Sequence, residues 1–297
     1  MIAKIVATFR RPVQLLLGVL VLLVKIYFIF LWKICRIFIP KSIRFSDGSL
    51  QADLILVTGC GNSLSRHVVL KLAEMGASLV LWDNDKEAVR SVAEEAESYG
   101  TQVYPFVCDC SDQDVIYSTA KKVQQEVGNI SILINNLSVS TAGKDIMSMD
   151  DARLAQVMKT NFYSSYWTTK AVLPWMVHND YGYIVNMVTQ PLFCGLAGNA
   201  DHVASKAAVL AFSEALRSEL VSMEKSGVHV VCVCPWKENY SVTELPKMAE
   251  QVIEAMLEQE PFVTLPRYKY LLIVLKCILP SAVLNLISKF MNKYSKR

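Results

Sequence analysis

Leu54-Ile55-Leu56-Val57 sets four large apolar side chains in a row, and a turn of glycines and small polar residues follows at once. Side chains alternate across a strand, so a run that is apolar at every position is buried on both faces. A sheet covered on both faces is parallel and needs helices as its crossovers. The sequence supplies them in alternation. Further strand-like runs lie at Ser78–Trp82, Val103–Val107, Ser131–Asn135, Tyr183–Met187 and Val228–Val233. Helical patterns fill Ser63–Met75, Asp85–Tyr99, Asp112–Glu126, Asp150–His178 and Val203–Lys225. One more helix at Leu245–Gln259 and a last strand at Phe262–Thr264 follow Pro235. The expected class is α/β, a doubly wound parallel sheet.

The ends of the chain read differently. Val13 to Trp32 is apolar apart from Gln14 and Lys25. Twenty helical residues rise about 30 Å, the thickness of a bilayer's hydrocarbon core. Lys25 can snorkel, so a spanning helix and a monotopic, partly embedded one both stay open. A cleaved signal peptide is the poorer reading, because the run is long and no small-x-small site follows it. Lys33, Arg36, Lys41 and Arg44 follow the run, against Lys4, Arg10 and Arg11 before it, an excess that places the main domain in the cytosol. Tyr268 to Met291 is apolar but broken by Pro280, as in a segment lying on a membrane or covering an apolar pocket. The expected organisation is an anchor over 1–40, a connector over 41–52, the α/β domain over 53–265 and an amphipathic tail over 266–297. A net charge of +3 is too small for a nucleic-acid partner, and the basic ends suit an anionic membrane surface. None of the eight cysteines forms a C-x-x-C pair; Cys108 and Cys110, and Cys232 and Cys234, have the spacing of one strand face, so reduced core thiols are expected, with no metal. Three Asn-x-Ser sequons, at Asn129, Asn136 and Asn239, would go unused in the cytosol.

Thr58-Gly59-Cys60-Gly61-Asn62-Ser63-Leu64-Ser65-Arg66 joins the first strand to the first helix, where a helix N-terminus attracts a diphosphate. Asp83 ends the second strand; a carboxylate there accepts from ribose hydroxyls and repels a 2′-phosphate, or it caps the next helix. With Leu81-Trp82-Asp83, Cys108-Asp109-Cys110-Ser111, Ser131 to Asn136 and Trp167 to Pro174, this turn resembles the short-chain dehydrogenase/reductase family, from about Asp53 to Phe262. The likeness is closest to the membrane-anchored branch that includes retinol and 17β-hydroxysteroid dehydrogenases. It implies a Rossmann-type domain that binds NAD through Thr58, Gly59, Gly61, Ser63, Leu64, Ser65, Asp83, Asp109, Asn135 and Lys206. Asp109 matches the family's adenine-contacting aspartate, or caps a helix. The chain departs from the pattern T-G-x-x-x-G-x-G, since Ser63 and Ser65 hold the second and third glycine positions. Leu137-Ser138 stands where the family has Ala-Gly, which crowds the adenosine side.

The family's catalytic Asn, Ser, Tyr and Lys correspond to Asn161, Thr189, His202 and Lys206. Thr189 keeps a hydroxyl able to orient a carbonyl. His202 is the serious departure. An imidazole has the intrinsic affinity of a base near neutral pH, but its nitrogen reaches roughly 2 Å less far from Cα than a phenol oxygen. Trp236 and Tyr240 alter the segment that elsewhere binds the nicotinamide amide, and Ser241 or Thr243 could replace its threonine. Two readings follow. One is a membrane-associated, NAD-linked oxidoreductase of a lipophilic alcohol or ketone, retinoid or steroid, on the endoplasmic reticulum or lipid droplets. The other is a catalytically weak or inactive relative retained as a binding or scaffolding protein. The resemblance also implies a homodimer paired through the helices around Asp150–His178 and Val203–Lys225.

Overall fold

A computed structural model of the chain describes residues 17–25, 27–28, 31, 50–140, 145–188, 197–235, 241–267, 279–280, 282–284 and 286. It divides into two units, Met1–Gly48 and Ser49–Arg297. In the first, the described residues are helical and exposed. Among the described residues no helix is long and apolar enough to cross a membrane. Residues 1–16, 26, 29–30 and 32–40 of the expected anchor, residues 41–49 of the connector, and most of the expected amphipathic tail lie outside the described residues.

The second unit holds seven parallel strands in the order β3-β2-β1-β4-β5-β6-β7. These are β1 (Leu54–Thr58), β2 (Ser78–Asp83), β3 (Val103–Val107), β4 (Ile132–Asn135), β5 (Gly182–Met187), β6 (Val228–Pro235) and β7 (Phe262–Leu265). The doubly wound parallel class expected from the strand runs is the one observed. Between the strands run α1 (Ser63–Glu74), α2 (Lys86–Glu97), α3 (Gln113–Glu126), α4 (Asp151–Met158), α5 (Ser164–Asn179), α6 (Ala200–Ser222) and α7 (Leu245–Leu257). Val57, Leu79 and Ile132 pack on one face with residues of α1, α2 and α7. Leu56, Val80 and Leu133 pack on the other with α3, α5 and α6. This two-sided burial is why β1 reads as an unbroken apolar run.

One correction concerns the long helix expected over Asp150–His178. The chain there is α4, then a π-helical turn at Lys159–Tyr163, then α5. A π turn inserts one residue into the α ladder, so the faces of α4 and α5 are phased independently. The insertion leaves Asn161 fully buried.

Strand order reverses between β1, whose neighbour is β2, and β4, which continues the sheet the other way. That places the switch point, where ligands of such sheets bind, at the carboxyl ends of β1 and β4.

Candidate active site at the carboxyl edge of the sheet

Gly59 leaves β1 with φ at +66°, a left-handed conformation that costs glycine nothing. Asn62 caps α1 by accepting from Ser65 N at 2.9 Å, which leaves the first-turn amides of Ser63 and Leu64 as donors for an anion. Ser63 is exposed, so its side chain meets solvent. Ser65 is buried, and its hydroxyl accepts a hydrogen bond from Asn136 Nδ2. Both serines at glycine positions thus fit the fold of the turn itself. Thr58 Oγ1 accepts from Asn136 N at 3.3 Å, tying β1 to the end of β4. Burial lifts the Cys60 thiol to about 12, with the charge of Asp83 adding to the effect. Cys60 should therefore stay unlabelled by iodoacetamide at pH 8 in the folded protein and react only on unfolding, as peptide mass mapping would show.

For both aspartates with open roles, a neighbouring aspartate supplies the helix cap. Asp85, not Asp83, caps α2, accepting from Glu87 N at 2.9 Å and Ala88 N at 3.2 Å. Asp83 instead accepts from Gly61 N through Oδ2 at 2.9 Å and from Asp85 N through Oδ1 at 3.1 Å. A carboxylate has about four lone-pair sites, so acceptor capacity remains on each oxygen. Asp112, not Asp109, caps α3. Asp109 is exposed at the mouth of the same edge and accepts from Ser111 N at 2.9 Å.

Asn135 has a structural place. Its Nδ2 donates to Asn186 Oδ1 at 2.9 Å, and its Oδ1 accepts from Thr168 Oγ1 at 2.8 Å, joining β4, β5 and α5 inside the core. Its amide is committed to the fold rather than turned to a cofactor. Asn135→Ala leaves buried partners unsatisfied and should cost about 2–4 kcal/mol, read from the urea midpoint.

The catalytic frame converges in part. Asn161 Nδ2 donates to Val139 O at 2.8 Å and to Ser205 Oγ at 2.9 Å, while its Oδ1 accepts from Val139 N at 2.7 Å. His202 Nδ1 lies 3.1 Å from Val139 O and 3.4 Å from Asn161 Nδ2. Only a protonated Nδ1 suits the carbonyl, so the neutral tautomer carries its basic lone pair on Nε2. His202 is only 2% exposed. Lys206 Nζ donates to Leu137 O at 2.8 Å and Met187 O at 3.2 Å, binding the ends of β4 and β5 beneath α6. Thr189, Trp236 and Tyr240 lie outside the described residues; Ser138 is exposed. Leu137 lies over the turn, where a Cβ on Gly59 would come within 3.1 Å of its Cδ2.

The chain matches the family described as short chain dehydrogenase over residues 53–245. It belongs to that family. Estradiol 17-beta-dehydrogenase 11 of Mus musculus is 30% identical over 285 residues, covering 92% of this chain and 94% of that one. Epidermal retinol dehydrogenase 2 of Homo sapiens is 33% identical over 247 residues, covering 78% and 80%. These relatives place the chain in the retinol and 17β-hydroxysteroid dehydrogenase branch, with an altered catalytic tetrad. A metagenomic short-chain oxidoreductase solved with NADP shares the fold with a TM-score of 0.65 at 24% identity, covering 73% of this chain and 96% of that one.

Two contributors to this short-chain dehydrogenase site escape a reading of the sequence. Val139 acts through its backbone, which residue type does not reveal. Ser205 stands three positions after His202 on one helix face, a spacing that could have marked it. Among the described residues no group of three or more His, Cys, Asp or Glu could hold a metal ion. Cys60, Cys108, Cys110, Cys232 and Cys234 are buried.

Proposed function

We propose that the chain is a membrane-associated, NAD-linked oxidoreductase of a lipophilic alcohol or ketone, of the retinoid or steroid class. The observation that carries this reading is the grouping of Asn161, Val139 and His202 at the carboxyl edge, which holds an imidazole with its basic nitrogen at Nε2. Asp83 supports NAD, since its carboxylate sits against the turn at Gly61 and opposes a 2′-phosphate. The amides of Ser63 and Leu64 and the residual acceptor sites of Asp83 fit a dinucleotide's diphosphate and adenosine ribose. Bound nicotinamide supplies a hydride acceptor or donor. The protein's own part is to orient the substrate oxygen with Thr189, to hold His202 through Asn161 and Val139, and to take or return the hydroxyl proton at Nε2. Lys206 fixes the strand ends around that site. The N-terminal apolar run, whose described part is helical and exposed, serves as the anchor, with the main domain cytosolic on the endoplasmic reticulum or lipid droplets. Pairing through α5 and α6 is supported by half-exposed aromatic rings: Tyr163 stacks on Trp167 at 5.4 Å, and Tyr166 meets Phe212 at 5.1 Å.

A second reading, a binding or scaffolding relative without turnover, is favoured by two observations. His202 is almost wholly buried, and Leu137 covers the glycine turn. Titration of the detergent-solubilised chain with NADH, followed by fluorescence, separates the two. The first reading expects saturable binding below ~1 mM, the upper end of ordinary enzyme affinities, and NAD⁺-dependent oxidation of retinol or estradiol. Binding without turnover selects the second reading, and absence of binding at millimolar NADH removes the first.

A further inference from the structure

Among the described residues, Trp82 Nε1 and Tyr117 Oη are buried atoms without a hydrogen-bond partner. Trp82 has no exposed surface at all. Such groups are destabilising in a core unless an acceptor or donor meets them. Both residues lie against one cavity of about 310 Å³, lined mainly by α3 and α5. Its apolar walls include Val123, Ile130 and Trp175, and Lys121 stands at the rim. Lys121 is exposed and makes no ion pair among the described residues. Pro174 also lines the cavity.

We propose that this groove is a second ligand site, distinct from the dinucleotide crevice, for a compact lipophilic anion with an oxygen at its buried end. The apolar body packs against the indole of Trp175 and the aliphatic wall. The buried oxygen accepts from Trp82 Nε1 and pairs with the Tyr117 hydroxyl. The anionic group faces the Lys121 ammonium. The volume lies at the lower end of the range for small-molecule pockets, which selects a molecule of one or two fused rings rather than a whole steroid.

The probe is 6-hydroxy-2-naphthoate, which carries a hydroxyl and a carboxylate at opposite ends of two apolar rings. It is titrated into the detergent-solubilised full chain without NAD, following the indole N–H signals of Trp82 and Trp175 by NMR. Both signals should move, that of Trp82 downfield. Trp82→Phe, which keeps a ring and loses the donor, should weaken the hydroxy acid about tenfold and leave 2-naphthoate unchanged. Lys121→Gln should weaken both acids about threefold and leave 2-naphthol unchanged. Ala171→Trp, which fills the cavity, should abolish all three responses at unchanged circular dichroism. The proposal is overturned if neither indole signal moves by 2 mM probe, or if Trp82→Phe and Lys121→Gln bind the hydroxy acid as the native chain does. NADH binding and alcohol turnover do not enter these readouts, so this site and the proposed oxidoreductase activity stand or fall separately.

Discussion

His202→Tyr should raise NAD⁺-dependent turnover of a lipophilic alcohol about a hundredfold, with the NADH affinity unchanged. The size follows from reach. A phenol oxygen extends roughly 2 Å beyond an imidazole nitrogen, and a ~1 Å misplacement of a reacting group costs on the order of 10²-fold. In the native chain the imidazole is 2% exposed and bonded to Val139 O at 3.1 Å, so it is drawn under the edge of the sheet. A phenol cannot donate back to that carbonyl from the ring position of Nδ1, and its hydroxyl projects further along the side-chain axis. Initial rates with retinol, with NADH titration and a thermal melt as controls, provide the check. A folded variant that binds NADH with no gain in rate would locate the block elsewhere, with Leu137 over Gly59 the first suspect, and would strengthen the non-catalytic reading.

The largest loss of stability should come from Gly227→Ala, about 3–4 kcal/mol by urea unfolding with an unchanged slope. A Cβ at Gly227 would sit 1.8 Å from the carbonyl oxygen of Asp180, which is backbone and cannot rotate away. The two turns interlock. Gly227 N donates to Asp180 Oδ1 at 3.0 Å, and Gly182 N donates to Gly227 O at 3.0 Å. Gly182 and Val228 are the first partners of the β5–β6 ladder, so the added methyl group strikes where that register begins. Gly100→Ala is the control. Nothing lies within 4 Å of that Cβ, and only its φ of +82° opposes alanine, a cost of about 1 kcal/mol.

Sheet and helix order are plain in the sequence because every strand but the edge strand β3 is buried on both faces, leaving runs such as Leu54 to Val57 that no amphipathic helix imitates. Strand ends match the runs within a residue or two. The π turn is not legible, since Lys159-Thr-Asn-Phe-Tyr163 contains neither glycine nor proline and its inserted residue shows only in the hydrogen-bond ladder. The open roles of Asp83 and Asp109 turned on which of two nearby aspartates meets the helix amides, a matter of backbone path rather than composition. The burial of His202 depends on a carbonyl 63 positions away, and the commitment of Asn135 on Thr168 and Asn186. The cavity beside Trp82 is a property of two packed helices and leaves no local pattern.

The π turn at Lys159–Tyr163 has one more consequence. Because it is an extra residue rather than a particular side chain, no single substitution erases it; only a deletion does. Removing one residue from this turn would swing everything on its amino-terminal side by about 100° relative to α5, the angle of one helical step. Asn161 or α4 would then face the wrong way, whichever half kept its seat. Lineages of this protein should therefore tolerate exchange of letters in this stretch far better than any change in its length.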